Sequence, residues 1–125
     1  MLERLTFTTT NTILYCQKWQ ATVAFYQNVF NLPVNFASEW FVEFELSATA
    51  RLSIADERRA TVKSSLGRGI TLTFQVENIQ EAWQHLRDKG GNPGAVRQHA
   101  WGAQVFYLSD PEGHRLEVWS ANEAA

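Results

Sequence analysis

The alternation of apolar and polar positions divides the chain into two similar series of elements. TILYC (residues 12–16) is short and β-prone. WQATVAFYQNVFNLP (19–33) follows with apolar side chains at Trp19, Val23, Tyr26 and Phe30, a helical period that Pro33 stops. WFVEFEL (40–46) and ARLSIA (50–55) then read as two paired strands. DERRATVKSSLGRG (56–69) is polar, carries two glycines and has no period, which predicts a linker.

The second series begins with ITLTFQV (70–76), an alternating strand. In NIQEAWQHLRDKGG (78–91), Asn78 caps a helix and Glu81 completes a capping box three residues on. Ile79, Trp83 and Leu86 form its buried stripe, and Gly90 and Gly91 end it. AQVFYLS (103–109) and HRLEVWS (114–120) form a hairpin across DPEG, where Pro111 and Gly113 suit the turn. GAV, near Gly94, adds a short edge strand.

Internal spacing relates the two series. Trp19 and Tyr26 stand sixty residues before Ile79 and Leu86, an offset that carries Asn11 onto Thr71. RLSI at 51–54 and RLEV at 115–118 stand sixty-four apart, which carries Ser53 onto Glu117. A four-residue difference in loop length reconciles the offsets. The prediction is an α+β fold of two βαβββ modules in tandem, packed side by side in one domain over residues 1–125: module one about 11–55, linker about 56–69, module two about 70–120.

Successive strand residues point to opposite faces. One face collects Leu14, Cys16, Val42, Phe44, Leu52, Ile54, Phe74, Phe106, Leu116 and Val118, and belongs against the helices. The other collects Asn11, Tyr15, Glu43, Arg51, Ser53, Thr71, Thr73, Tyr107, Arg115, Glu117 and Trp119. A solvated sheet face explains that second set on alternation alone. The repeat shifts the balance, because two such sheets curling toward each other make a cup with the helices on its convex side, and concave sites with convergent polar groups bind ligands.

Composition narrows the partners. At 125 residues, 45% hydrophobic and 19% charged, the chain has the size and mix of one globular domain. Eleven basic against thirteen acidic residues leave a net charge of −2, so nothing draws it to nucleic acid or to an anionic membrane. A lone cysteine, Cys16, excludes an internal disulfide; it has core parity and reads as a buried thiol. MLERLTFTTT has no basic start followed by an apolar stretch, and no run approaches the ~18 apolar residues of a spanning helix, so the expected compartment is the cytoplasm.

The helix VAFYQNVFNL (23–32) in module one and the closing DPEGHRLEVW (110–119) in module two resemble the vicinal oxygen chelate superfamily, which includes glyoxalase I, fosfomycin and bleomycin resistance proteins, and extradiol dioxygenases. The resemblance covers about residues 11–120. It implies the same cup. This fold hosts several chemistries, and some members perform none. In metal-using relatives the ligands come from the start of the first strand and from the last strand of each module, commonly His or Gln at the former and Glu at the latter. Carried over, those places fall on Asn11, Ser53, Thr71 and Glu117.

Of these only Glu117 is a usual metal ligand, and a divalent transition metal normally takes at least three protein ligands. The expectation is therefore no metal and no cofactor, with Ser53 a lost ligand position; a divalent metal completed by substrate atoms and water is the alternative. His85 lies on the helix, His114 points away from the cup, and His99, in the loop RQHAWG, reaches its mouth alone.

Glu117 has three readings: a catalytic general base, a hydrogen-bond acceptor for a ligand, or the ion-pair partner of Arg51 or Arg115 on its own face. Tyr15, Tyr107, Trp101 and Trp119 offer stacking surfaces. With Asn11, Glu43, Arg51, Ser53, Thr71, Thr73 and Arg115 they complete the expected ligand-binding set. Two functions follow from the resemblance: a protein that binds a small organic molecule in the cup, or a lyase, isomerase or dioxygenase-like enzyme using a metal or Glu117. The ligand set favours the first and argues most against glyoxalase I activity, whose Lewis-acid step needs the metal. Small relatives commonly dimerise, which makes a homodimer the expected assembly.

Overall fold

A computed structural model describes residues 1–100 and 102–121. Module one comprises β1 (Thr10–Cys16), α1 (Trp19–Ala24), β2 (Val34–Ala37), β3 (Phe41–Ser47) and β4 (Ala50–Asp56). Module two comprises β5 (Thr71–Gln75), α2 (Ile79–Asp88), β6 (Arg97–His99), β7 (Ala103–Ser109) and β8 (Arg115–Ala121). Each forms a four-stranded mixed sheet, ordered β1-β4-β3-β2 and β5-β8-β7-β6. The first and last strands of each module run parallel and the other pairs antiparallel. The chain is thus two βαβββ modules in a curved α+β fold.

The repeat holds to the residue. Asn11 lies opposite Arg51 in module one, and Thr71 lies opposite Arg115 in module two. Ile13 opposite Ser53 is likewise matched by Thr73 opposite Glu117.

Helix α2 has the predicted cap: Asn78 Oδ1 accepts the Glu81 amide at 3.1 Å, and Ile79 and Leu86 are buried. Its C-terminus closes as Gly91 N–H donates to the Leu86 carbonyl, with Gly90 at φ +83°. The first helix differs from the expected run to Pro33. After Ala24, residues Phe25–Val29 widen into a π turn, and the Phe30 amide donates to the Phe25 carbonyl five residues back. The widening turns the consecutive Phe25 and Tyr26 both inward, edge to face at 5.1 Å. Asn31 at φ +58° then ends the run before Pro33.

Two edge strands depart from the sequence pattern. β2 is a four-residue, fully exposed strand whose pairing with β3 is bulged, so burial leaves no period in its sequence. The edge strand of module two lies at Arg97–His99 rather than at GAV, although Gly94 N–H already donates to the Tyr107 carbonyl.

The apolar parity set forms one core spanning both modules, with Phe44, Leu52, Ile54, Phe106 and Leu116 fully buried. Each such side chain contributes roughly 1.5–3 kcal/mol relative to exposure. Phe30 meets Phe74 across the module seam at 5.6 Å. The linker is pinned where Gly67 packs on the β7–β8 turn; a β-carbon there would collide with the Gly113 carbonyl, and φ is +80°.

Candidate functional site

Strand parity places the two halves of the candidate site. On module one, Ser53 is fully buried and donates to Asn11 Oδ1 at 2.8 Å. Arg51 is held by the carbonyls of Ser47 and Ala50, at 2.8 and 3.3 Å, with its Nε 3.8 Å from Glu43. Asn35 donates to the same Glu43 carboxylate at 3.4 Å. Tyr15 is half-buried and, with Ile13, lines an open cavity of about 310 Å³ shared with Val62 and Lys63 of the linker and with Ile70.

On module two the carboxylate is the centre. Thr73 Oγ1 donates to Glu117 Oε1 at 2.7 Å, and the Tyr107 hydroxyl donates to Oε2 at 3.0 Å. Thr73 and Tyr107 are the cross-strand neighbours of Glu117 on either side, so register alone brings the three groups together. Arg115 stacks over the Tyr107 ring, 4.4 Å from its centroid. Trp119, half-buried, follows two residues on between Gln75 and Val105, and Thr71 is exposed beside Arg115. Trp101 lies outside the described residues.

The ion-pair expectation for Glu117 is corrected by these contacts. Arg51 is committed to module one and Arg115 to the Tyr107 ring, and among the described residues no lysine or arginine forms an ion pair with Glu117. His99 is also corrected: it sits in strand β6 opposite Ala103, not in a loop, and Arg97 opposite Val105 shares that face. No hydrogen bond joins Asn11, Ser53, Glu43 or Arg51 to Thr73, Tyr107, Arg115 or Glu117. The halves are separate clusters.

The four family ligand positions hold an amide oxygen, two hydroxyls and one carboxylate. Ser53 Oγ is fully buried and directed at Asn11, and both Glu117 oxygens already accept hydrogen bonds. This donor set does not fit a divalent transition metal. Among the described residues, no group of three or more His, Cys, Asp or Glu is placed to hold a metal ion.

A second polar cluster was not apparent in the sequence beyond its turn signature. Asp110 Oδ1 accepts the amides of Glu112, Gly113 and His114, each at 3.0 Å. Its Oδ2 accepts the Tyr26 hydroxyl at 2.6 Å and lies 2.8 Å from His114 Nδ1. Glu112 reaches into module one, accepting the Gln17 and Lys18 amides at 2.8 Å each and the Ser64 hydroxyl. All of Asp110, Glu112 and His114 are buried. This cluster fastens the hairpin turn of module two to the β1–α1 junction of module one. DPEG announced a turn, but nothing local could reveal partners some ninety residues away in the chain.

Burial, with the charges of Glu112 and Asp110 adding to it, pushes the Cys16 thiol up to about 12, which leaves it a core thiol rather than a nucleophile. Burial and the neighbouring Asp110 likewise raise Tyr26 far above the usual phenol value. Asp56 is held below the usual carboxylate value by the hydrogen bond from Arg58, whose Nη2 lies 2.8 Å from Oδ2. Lys63 donates to the Glu57 and Ala60 carbonyls, so the basic residues of the linker serve its own surface.

The family model for the Glyoxalase/Bleomycin resistance protein/Dioxygenase superfamily matches residues 7–118. Solved structures share the fold. A glyoxalase/bleomycin resistance protein/dioxygenase from Nocardioides matches with a TM-score of 0.76 at 20% identity, covering 100% of this chain and 89% of its own. A lactoylglutathione lyase from Agrobacterium tumefaciens matches with 0.74 at 22% identity, over 89% and 91%. A glyoxalase-related enzyme from Fulvimarina pelagi matches with 0.73 at 17% identity, over 95% and 88%. At these identities the likeness is one of fold. Comparison with curated proteins finds no match.

Proposed function

The chain belongs to the Glyoxalase/Bleomycin resistance protein/Dioxygenase superfamily, and from that premise we propose that it binds a small organic molecule on its concave face without a metal. The observation that carries the reading is the Thr73–Glu117–Tyr107 arrangement, a carboxylate oriented by two hydroxyls at the position where metal-using relatives place a ligand. Two hydrogen bonds leave lone pairs on Glu117 for a ligand, and Tyr107 and Trp119 supply aromatic walls beside it. Asn11, Tyr15, Glu43, Arg51, Thr71 and Arg115 complete the proposed lining, and the expected contact from Ser53 is replaced by support from beneath, since that residue is fully buried and holds Asn11.

The working form is a homodimer. Ile13 and Phe36 are 37% and 56% exposed, apolar area that a second copy would cover. No helix among the described residues is long and apolar enough to cross a membrane; the proposed compartment is the cytoplasm, with no nucleic-acid or membrane partner.

A thermal-shift screen of organic molecules against chelator-treated protein tests the reading. Hits that lose their effect in Glu117→Ala or Trp119→Ala support it. Turnover of a hit that depends on Glu117 would replace it with an enzyme using that carboxylate as base. A screen in which only metal-supplemented samples respond, and Glu117→Ala abolishes the response, would replace it with a metal-dependent lyase or dioxygenase-like enzyme.

A further inference from the structure

We infer that the ligand of this face presents a protonated nitrogen, an amine or amidine, to Glu117; the inference rests on the small-molecule reading above and adds the class of ligand. Glu117 is half-buried, and its hydrogen-bond partners are two neutral hydroxyls, which orient the carboxylate but supply no opposite charge. The ordinary solution, a neighbouring arginine, is at hand and not taken. Arg115 stands two residues away on the same face, yet its guanidinium stacks on the Tyr107 ring. Arg51 is tied to Glu43 and to backbone carbonyls of its own module.

A partly desolvated carboxylate gains most from a partner that brings both a positive charge and N–H donors. The surroundings suit such a group. Thr73 and Tyr107 fix one lone pair on each oxygen, leaving the remaining acceptor sites for a donor. The Tyr107 ring already carries one cation on its face, and aromatic faces attract ammonium groups as they attract guanidinium. Trp119, two residues along the same strand face, places a second aromatic surface where the apolar body of such a ligand would lie. Arg115 is exposed, so solvent and salt screen its opposition to a second cation.

Three probes of similar shape and different charge test this: 2-naphthylmethylamine, 2-naphthylmethanol and 2-naphthoate, titrated into the protein at pH 7 and followed by tryptophan fluorescence and calorimetry. The ammonium probe is expected to bind about tenfold tighter than the alcohol, the worth of one charge-assisted hydrogen bond, and the carboxylate weakest. Glu117→Gln should bring the ammonium and the alcohol within about twofold of each other, chiefly by weakening the ammonium. Should that variant fail to fold, Glu117→Asp, which draws the carboxylate back by one methylene, should shrink the advantage two- to threefold. Tightest binding by 2-naphthoate, or an ammonium advantage that survives these changes, overturns the inference and leaves the small-molecule reading standing. Binding of none of the three to folded protein counts against the face as a small-molecule site and removes both.

Discussion

The two modules place the same pair of chemical groups on opposite strands. In module one the carboxylate, Glu43, sits on β3 and the hydroxyl, Ser53, faces it from β4. In module two the hydroxyl, Tyr107, sits on β7 and the carboxylate, Glu117, faces it from β8. The exchange changes what each face does. Glu43 finds Arg51 and Asn35, and buried Ser53 finds Asn11, so module one satisfies its charge and its hydroxyl internally. Glu117 finds only hydroxyls, and its arginine turns to an aromatic ring. One module is chemically closed and the other keeps an ordered anion facing outward. The difference lies in side-chain identity at matched register, since the backbone pairing is the same.

The turns that join these strands sharpen the contrast, and the largest effect is expected there. In module two Asp110 is buried and accepts from three amides and the Tyr26 hydroxyl. Asp110→Ala should lower unfolding stability in urea by about 3–5 kcal/mol, because donors from both modules lose a buried charged partner. Its counterpart between β3 and β4 is exposed, and Ala48→Asp should change stability by no more than about 0.5 kcal/mol. Equal effects at the two turns would erase the distinction.

At the matched hydroxyls the expected effects are smaller. Tyr107→Phe removes one hydrogen bond to a carboxylate and should cost about 1 kcal/mol. Ser53→Ala should cost less, since Asn11 is exposed and its freed oxygen can turn to water. The reverse order in denaturant titrations would mean that module one, not module two, holds the more consequential network.

The smallest effect concerns acid. Arg58 holds the Asp56 carboxyl below its unfolded value, so this pair adds stability above the unfolded value, about 4, and loses it as pH falls through the folded one. Arg58→Ala should therefore flatten the decline of stability below about pH 4 and leave stability near pH 7 within the small range of exposed ion pairs. An unchanged acid profile would show that Arg58 contributes nothing to it.

Much of this arrangement was legible in the sequence. The period of α2, with its Asn78 cap and paired glycines, and the hairpin of β7 and β8 followed from local pattern. Parity alone puts Thr73, Tyr107 and Glu117 on one face, because a strand's period is set by its backbone. Strands β2 and β6 were missed or displaced, since short exposed edges bury nothing and so leave no apolar period. The π turn at Phe25–Val29 was invisible for a related reason: its cause is the need to bury two consecutive aromatics against a core that only the tertiary structure supplies. The partners of Arg51, Arg115, Asp110 and Glu112 were also beyond reach. Rotamer choice and contacts distant in the chain decide them, and spacing encodes neither.

The central claim is that the four positions at which metal-using relatives hold an ion here hold a face for an organic ligand. Calorimetric titration of chelator-treated protein with Ni, Zn, Mn and Fe(II), beside Glu117→Ala, tests it most directly. Only weak heats that the substitution leaves unchanged are expected. Stoichiometric binding of any of these ions, lost in Glu117→Ala, would contradict it.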